Sequence, residues 1–135
     1  HANEKYPFLG LELGHSGDNL QTRFGTFDFI YSLEVIEHVF DPYAFIQDIR
    51  LILNPDGYLV LSTPFHGYFK NLLLSIFNKW DSHFTALWRG GHIKFWSPVT
   101  LTQLLNESGL SVVEIRRVGR FPLIAKSMIL VARNT

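Results

Sequence analysis

The 135 residues carry twelve basic and twelve acidic side chains, are 47% hydrophobic and contain no cysteine. This length supports one globular core and leaves no room for a second domain, and the balanced charge gives no field that would draw the chain to nucleic acid or anionic lipid. The absence of thiols excludes disulfides, thiolate catalysis and cysteine-type zinc sites, and it fits a reducing compartment, with the cytoplasm as the default. The first ten residues lack the basic start and apolar run of a signal peptide, and no stretch approaches the roughly twenty apolar residues that span a bilayer. A protein without nucleic-acid or membrane partners is expected. The chain opens at His1 without methionine and reaches a strand pattern almost at once, so the expectation is a single domain over 1–135 that is incomplete at its start.

In chain order, Phe8 to Leu13 alternates loosely and ends at Gly14, as a strand that feeds the polar loop His15 to Asn19. Phe27 to Leu33 is apolar and aromatic on both faces, the pattern of a central strand buried between helical layers. Asp41 is a cap and Pro42 a first helical residue, and Phe45, Ile49, Ile52 and Leu53 recur at i, i+4, i+7 and i+8. Asn54 to Gly57 suits a turn, and Tyr58 to Ser62 a second buried strand, giving a strand, a crossover helix and a parallel strand.

Beyond Pro64 the spacing of Phe69, Leu72, Leu73, Ile76, Phe77 and Trp80 predicts one nearly uncharged helix over 67–80. It reads as a lid over a site more readily than as a membrane-surface helix, because its opposite face is not basic. Residues 81–96 are rich in aromatics and histidine and loop-like in period. Ser97-Pro98 starts a further helix with Leu101, Leu104 and Leu105 inward and Gly109 as its stop. Leu110 to Val118 and Lys126 to Ala132 then read as an antiparallel hairpin.

The chemistry concentrates after Leu33. If the chain turns helical there, Glu34, Glu37 and His38 stand at i, i+3 and i+4 on one face, able to bind a divalent metal or to let a carboxylate orient His38 as a base. A solvated loop start, with His38 capping or packing, is the alternative. Open α/β sheets place their sites at the carboxyl ends of such strands.

The string Phe27-Asp-Phe-Ile-Tyr-Ser-Leu-Glu-Val-Ile-Glu-His-Val39, with Asp41-Pro42 and Gly57 to Pro64, resembles the fourth strand, the following helix and the fifth strand of class I S-adenosylmethionine-dependent methyltransferases. It is similar in particular to the branch containing the ubiquinone-pathway O-methyltransferases. Gly91-His92-Ile-Lys-Phe95-Trp-Ser-Pro98 resembles that family's run ahead of its penultimate helix. The resemblance implies an α/β fold: a partial Rossmann-like sheet of parallel strands ending in an antiparallel hairpin, with helices on both faces. It implies S-adenosylmethionine as cofactor, beside His15, Ser16, Ser32 and Leu33, and a divalent metal on Glu34, Glu37 and His38. His38, Glu37 and His92 are then the candidate catalytic residues, with His92 facing the acceptor; a loop histidine bonded to backbone is the other reading of His92. The Gly-x-Gly-x-Gly cofactor loop and the acidic ribose-binding residue have no counterpart.

Methyl transfer to oxygen needs alignment, proton removal and exclusion of water, which a histidine near neutral pKa or a metal-bound acceptor supplies. Phe65, His66, Tyr68, Trp80, Phe84, Trp88 and Trp96 would wall an aromatic or lipid-like small-molecule acceptor, although Trp80 also fits ordinary core. A homodimer is compatible with the sequence. Two rivals stand beside O-methylation: a truncated or non-catalytic binding or dimerising module, and a dehydrogenase-like nucleotide binder, which has no glycine fingerprint to support it.

Overall fold

The computed structural model describes residues 19–84, 86–119 and 125–135. The first expected strand and the cofactor-side candidates His15 and Ser16 lie outside the described residues, as does most of the connection between the last two strands. A short helix α1 (Leu20–Phe24) opens the described part. Asn19 caps it, accepting from the Thr22 amide at 3.1 Å. Five residues are too few to show a helical period, and this element was not expected.

Strand β1 (Phe27–Leu33) runs parallel to β2 (Leu53–Pro64), and helix α2 (Pro42–Ile52) crosses between them. Asp41 caps α2 by accepting from the Ala44 amide at 3.0 Å, with Pro42 pre-set for the first turn. The expected turn at 54–57 lies inside the bounds of β2 as an outward excursion. Pairing passes from Phe27 opposite Leu53 to Phe29 opposite Tyr58. Gly57 is required there, because a Cβ would fall 2.9 Å from the Asn54 carbonyl oxygen and 3.1 Å from that of Asp28.

Helices α3 (Tyr68–Ile76) and α4 (Trp80–Phe84) replace the single helix expected over 67–80. Asn78, at φ 48°, adopts the left-handed conformation that ends the first helix and redirects the chain. Helix α5 (Pro98–Glu107) is held by a reciprocal Ser97–Thr100 capping box and stops before Gly109 at φ 82°. Strands β3 (Leu110–Val118) and β4 (Ser127–Asn134) form the expected antiparallel hairpin. β4 also pairs antiparallel with β2, so the sheet order is β1-β2-β4-β3.

Alternation along the strands sends Leu59, Leu61, Met128, Leu130 and Ala132 into one core with Ile46 and Ile49 of α2 and Leu101, Leu104 and Leu105 of α5. The Tyr43 hydroxyl donates to the Glu107 carboxylate and ties the two helices together. On the other face Phe27, Phe29, Tyr31 and Leu33 remain exposed beside Tyr58. Among the described residues β1 is therefore an edge strand covered on one side, whereas the sequence pattern predicts a central one. The apolar side chains of α3 are likewise largely exposed.

Leu105 is fully buried where α5 meets the sheet. Leu105→Ala should cost about 2–5 kcal/mol in urea unfolding; a cost below about 0.5 kcal/mol would mean that α5 does not seal this core.

Candidate active site at the carboxyl ends of β1 and β2

The two parallel strands end side by side, and each hands over at once to chemistry-bearing residues. After β1 the chain makes a single 3₁₀ turn, Ile36–His38. Glu34 precedes that turn at φ 54° and folds back on β2. Its amide donates to Ser62 Oγ at 3.1 Å, and that hydroxyl donates to Glu34 Oε1 at 2.8 Å. The continuous helical face expected for Glu34, Glu37 and His38 is thus not formed.

Glu37 points inward and is only 1% exposed. Thr63 of β2 donates to its Oε2 at 3.1 Å, while Oε1 has no hydrogen-bond partner among the described residues. The segment 91–96 is stapled across this turn. Ile93 and Lys94 donate their amides to the Glu37 carbonyl at 2.9 and 3.0 Å, and the Trp96 indole donates to the Ile36 carbonyl at 3.5 Å. His38 Nδ1 lies 3.1 Å from the Gly91 carbonyl oxygen. A carbonyl can only accept, so this contact places a hydrogen on Nδ1 and turns Nε2 away from Gly91. Nε2 stands 3.9 Å from Glu37 Oε1.

The staple brings His92 against His38, with ring centroids 4.9 Å apart at 67°. Donor atoms of Glu37, His38 and His92 all lie within 4.8 Å of one another. These three candidates are brought together, and Glu34 is not among them. A buried, unpartnered carboxylate oxygen beside two imidazoles has the donor chemistry of a cation site.

Ser32 and Leu33 border a separate cleft of about 410 Å³ lined by Ile30, Tyr31, Val35, Phe45 and Ile49 as well. Ser32 Oγ is buried without a partner among the described residues, and Leu33 is 55% exposed. An apolar cleft with an unsatisfied hydroxyl at a strand end is suited to a nucleoside-bearing ligand.

One set of residues was underweighted in the sequence. His66, two residues beyond β2, contacts Phe95 edge-on at 5.1 Å, stacks with Phe84 at 5.6 Å and meets His83 at 5.8 Å. Burial, and after it the charge of Lys70, lowers His66 to about 4. Its position directly after the second strand was the available signal.

This arrangement is that of a family. Residues 7–115 match the model of a methyltransferase domain. The chain is 34% identical over 102 residues to a ubiquinone biosynthesis O-methyltransferase of Dinoroseobacter shibae, covering 72% of this chain and 39% of that protein. It is 36% identical over 89 residues to the mitochondrial ubiquinone biosynthesis O-methyltransferase of Bos taurus, covering 64% and 24%. An O-methyltransferase family protein from Burkholderia thailandensis shares the fold at a TM-score of 0.66 and 14% identity, over 98% of this chain and 39% of that one. The sheet is thus a partial Rossmann-like methyltransferase sheet, and the chain belongs to the class I S-adenosylmethionine-dependent methyltransferases. It spans about two-fifths or less of these relatives' length.

Thr63→Val leaves the buried Glu37 carboxylate without a donor and should cost about 1–3 kcal/mol, which Thr63→Ser should largely avoid; equal unfolding midpoints for the two variants would discount the bond. His66 predicts a pH effect with a definite sign. Its folded pKa of about 4 lies below the ordinary 6.5. Between these values the unfolded chain binds more protons, so stability should fall as pH drops from about 6.5 to 4 and this contribution should level off below that. The wild type should lose stability relative to His66→Phe as pH falls through this window, read from unfolding midpoints; parallel curves would contradict the assignment.

Proposed function

We propose that this protein methylates a hydroxyl of a small aromatic or lipid-like acceptor, with Glu37, His38 and His92 on the acceptor side and Ser32 and Leu33 beside the cofactor. The observation that carries this reading is the convergence of Glu37, His38 and His92 donor atoms within 4.8 Å at the carboxyl end of β1. The family supplies the other half of the reaction: S-adenosylmethionine, when bound, presents an electrophilic methyl group on a sulfonium.

His38 is held at Nδ1 by the Gly91 carbonyl, so in its neutral form Nε2 would take the acceptor's hydroxyl proton during transfer. Glu37, anchored by Thr63, stabilises the imidazolium that results. His92 stands against His38, and Phe84 packs on Phe95 farther along the same stapled segment.

The orphaned Glu37 Oε1 favours a second reading, in which Glu37, His38 and His92 hold a divalent cation that lowers the acceptor's pKa. One carboxylate and two imidazoles suit a borderline ion such as zinc better than magnesium. In this version His38 is a ligand and not the base. The candidates His15 and Ser16 remain part of the proposal as the adenine side of the cofactor site.

Calorimetric titration with S-adenosylhomocysteine, with NADH as control, is the direct test: selective binding of the former is expected, and selective binding of NADH would overturn the reading. In an enzyme with measurable turnover, Glu37→Gln and His38→Ala should each lower kcat by at least about tenfold while cofactor affinity stays within several-fold. Normal turnover in both would remove these residues from the chemistry. A chelator should abolish activity only if the cation reading holds.

A further inference from the structure

The histidine and lysine cluster beyond β2 belongs neither to the Glu37 group nor to the core. His66, Lys70 and His83 come from three consecutive pieces of chain: the link after β2, the first turn of α3, and α4. His66 and His83 rings meet at 5.8 Å, and both are packed on Phe84, at 5.6 and 4.8 Å. Phe84 continues this surface to Phe95 at 4.8 Å and to Trp80 in a stack at 5.1 Å.

The box is electropositive. Lys70 Nζ is partly buried and donates to the Phe65 carbonyl at 3.2 Å, and among the described residues no carboxylate forms an ion pair with it. Burial followed by the charge of Lys126 lowers its pKa. His66 and His83 are both lowered, first by burial and then by the charge of Lys70, with His92 adding to each. The groups that shift these residues are cations or potential cations, Lys70, His83, His92 and Lys126, and Asp81 is the acid that α4 carries beside them. His66 Nδ1 is sealed from solvent and has no hydrogen-bond partner among the described residues. A partly desolvated lysine, two imidazoles that prefer neutrality and an aromatic wall together lack one component, a negative charge.

We propose that His66, Lys70 and His83 form a specificity subsite for an oxyanion carried by an aromatic acceptor, whose ring packs on Phe84 and Phe95. The assignment rests on the methyl-transfer reading for the word acceptor, while the anion site itself stands on the cluster alone. The subsite lies on the His92 side of the catalytic group, because Phe95 belongs to the same stapled segment. An acceptor anchored there by its anionic group presents a second substituent, the hydroxyl to be methylated, toward His38. Binding also offsets the desolvation of Lys70, and it favours protonation of His66 and His83, so anion affinity rises as pH falls from 8 to 6.

The test is a titration of the protein with benzoate, phenyl phosphate and benzyl alcohol, followed through histidine ring resonances and by calorimetry. One or both anions should bind, tighter at pH 6 than at pH 8, and should perturb His66 and His83, whereas benzyl alcohol should bind at least tenfold more weakly. Preference between the two anions identifies a carboxylate or a phosphate as the group recognised. Lys70→Met should weaken anion binding at least tenfold and Lys70→Arg should retain it. Equal binding of benzoate, phenyl phosphate and benzyl alcohol, no binding of either anion, or anion affinity unchanged in Lys70→Met would overturn the subsite. S-adenosylhomocysteine binding, measured on the same samples, separates this failure from failure of the methyl-transfer reading and reports whether the variants remain folded.

Discussion

Glu37 is the residue on which the site depends, and it is held at both of its polar ends. Its carbonyl oxygen receives two amides from the segment 91–96, and its carboxylate receives the Thr63 hydroxyl from β2. The first contact determines where His92 and Phe95 stand. The second ties the 3₁₀ turn after β1 to the neighbouring strand. A carboxylate this deeply buried is expensive unless its oxygens are matched, and only one of the two has a donor. Unmatched buried polarity is found where a structure gives up stability for function, and here it lies next to two imidazoles.

Two environments meet at the ends of the parallel strands, and they differ in sign. The Glu37 side combines a carboxylate with histidines and has the chemistry to take a proton or hold a cation. The His66 side gathers lysine and histidine on aromatic rings, with no acid among the groups that shift them. Neither environment is built by one element. β1 supplies the turn that carries Glu37 and His38, β2 supplies Thr63 and leads into His66, and the segment before α5 crosses between them. Parallel pairing of β1 with β2, with Leu33 opposite Ser62, brings these pieces to one end. This is the physical reason that open α/β sheets place their sites there.

Where local chemistry decides, the sequence was readable. Asp41-Pro42 and Ser97-Pro98 announce two helix starts through caps that act within three residues, and Gly109 marks an end through its positive φ. The β3–β4 hairpin followed from two apolar runs separated by a short connection. The motif around Glu37 was legible as a place, because a β-rich run followed by polar residues marks a strand exit. Its geometry was not. Helical spacing placed Glu34 with Glu37 and His38, but the chain enters a left-handed residue at Glu34 and only then turns, so Glu34 is spent on Ser62. Nothing in the spacing of a glutamate reveals a positive φ. The meeting of His38 with His92 depends on hydrogen bonds between segments more than fifty residues apart, which no local pattern encodes. That β1 is the edge among the described residues was also hidden, since an apolar strand reads as buried whatever stands beside it.

The exposed side of β1 gives the last step of synthesis. Phe27, Phe29, Tyr31 and Leu33 form an apolar row on the sheet face opposite α2 and α5, and the cleft beside Ser32 opens at the same strand. Burying such a row stabilises a sheet by about 25 cal/mol for each Å² of apolar surface removed from water. The row therefore favours association with further apolar structure, and two of its members, Tyr31 and Leu33, also line the Ser32 cleft. On the proposed reading, the stability of the sheet and the cofactor side thus share one strand. The Glu37, His38 and His92 group and the His66 box are assembled by contacts within the described residues. On the proposed reading the two halves of the reaction thus rest on different supports, with binding of the acceptor's anionic group able to persist under conditions that loosen the cofactor cleft.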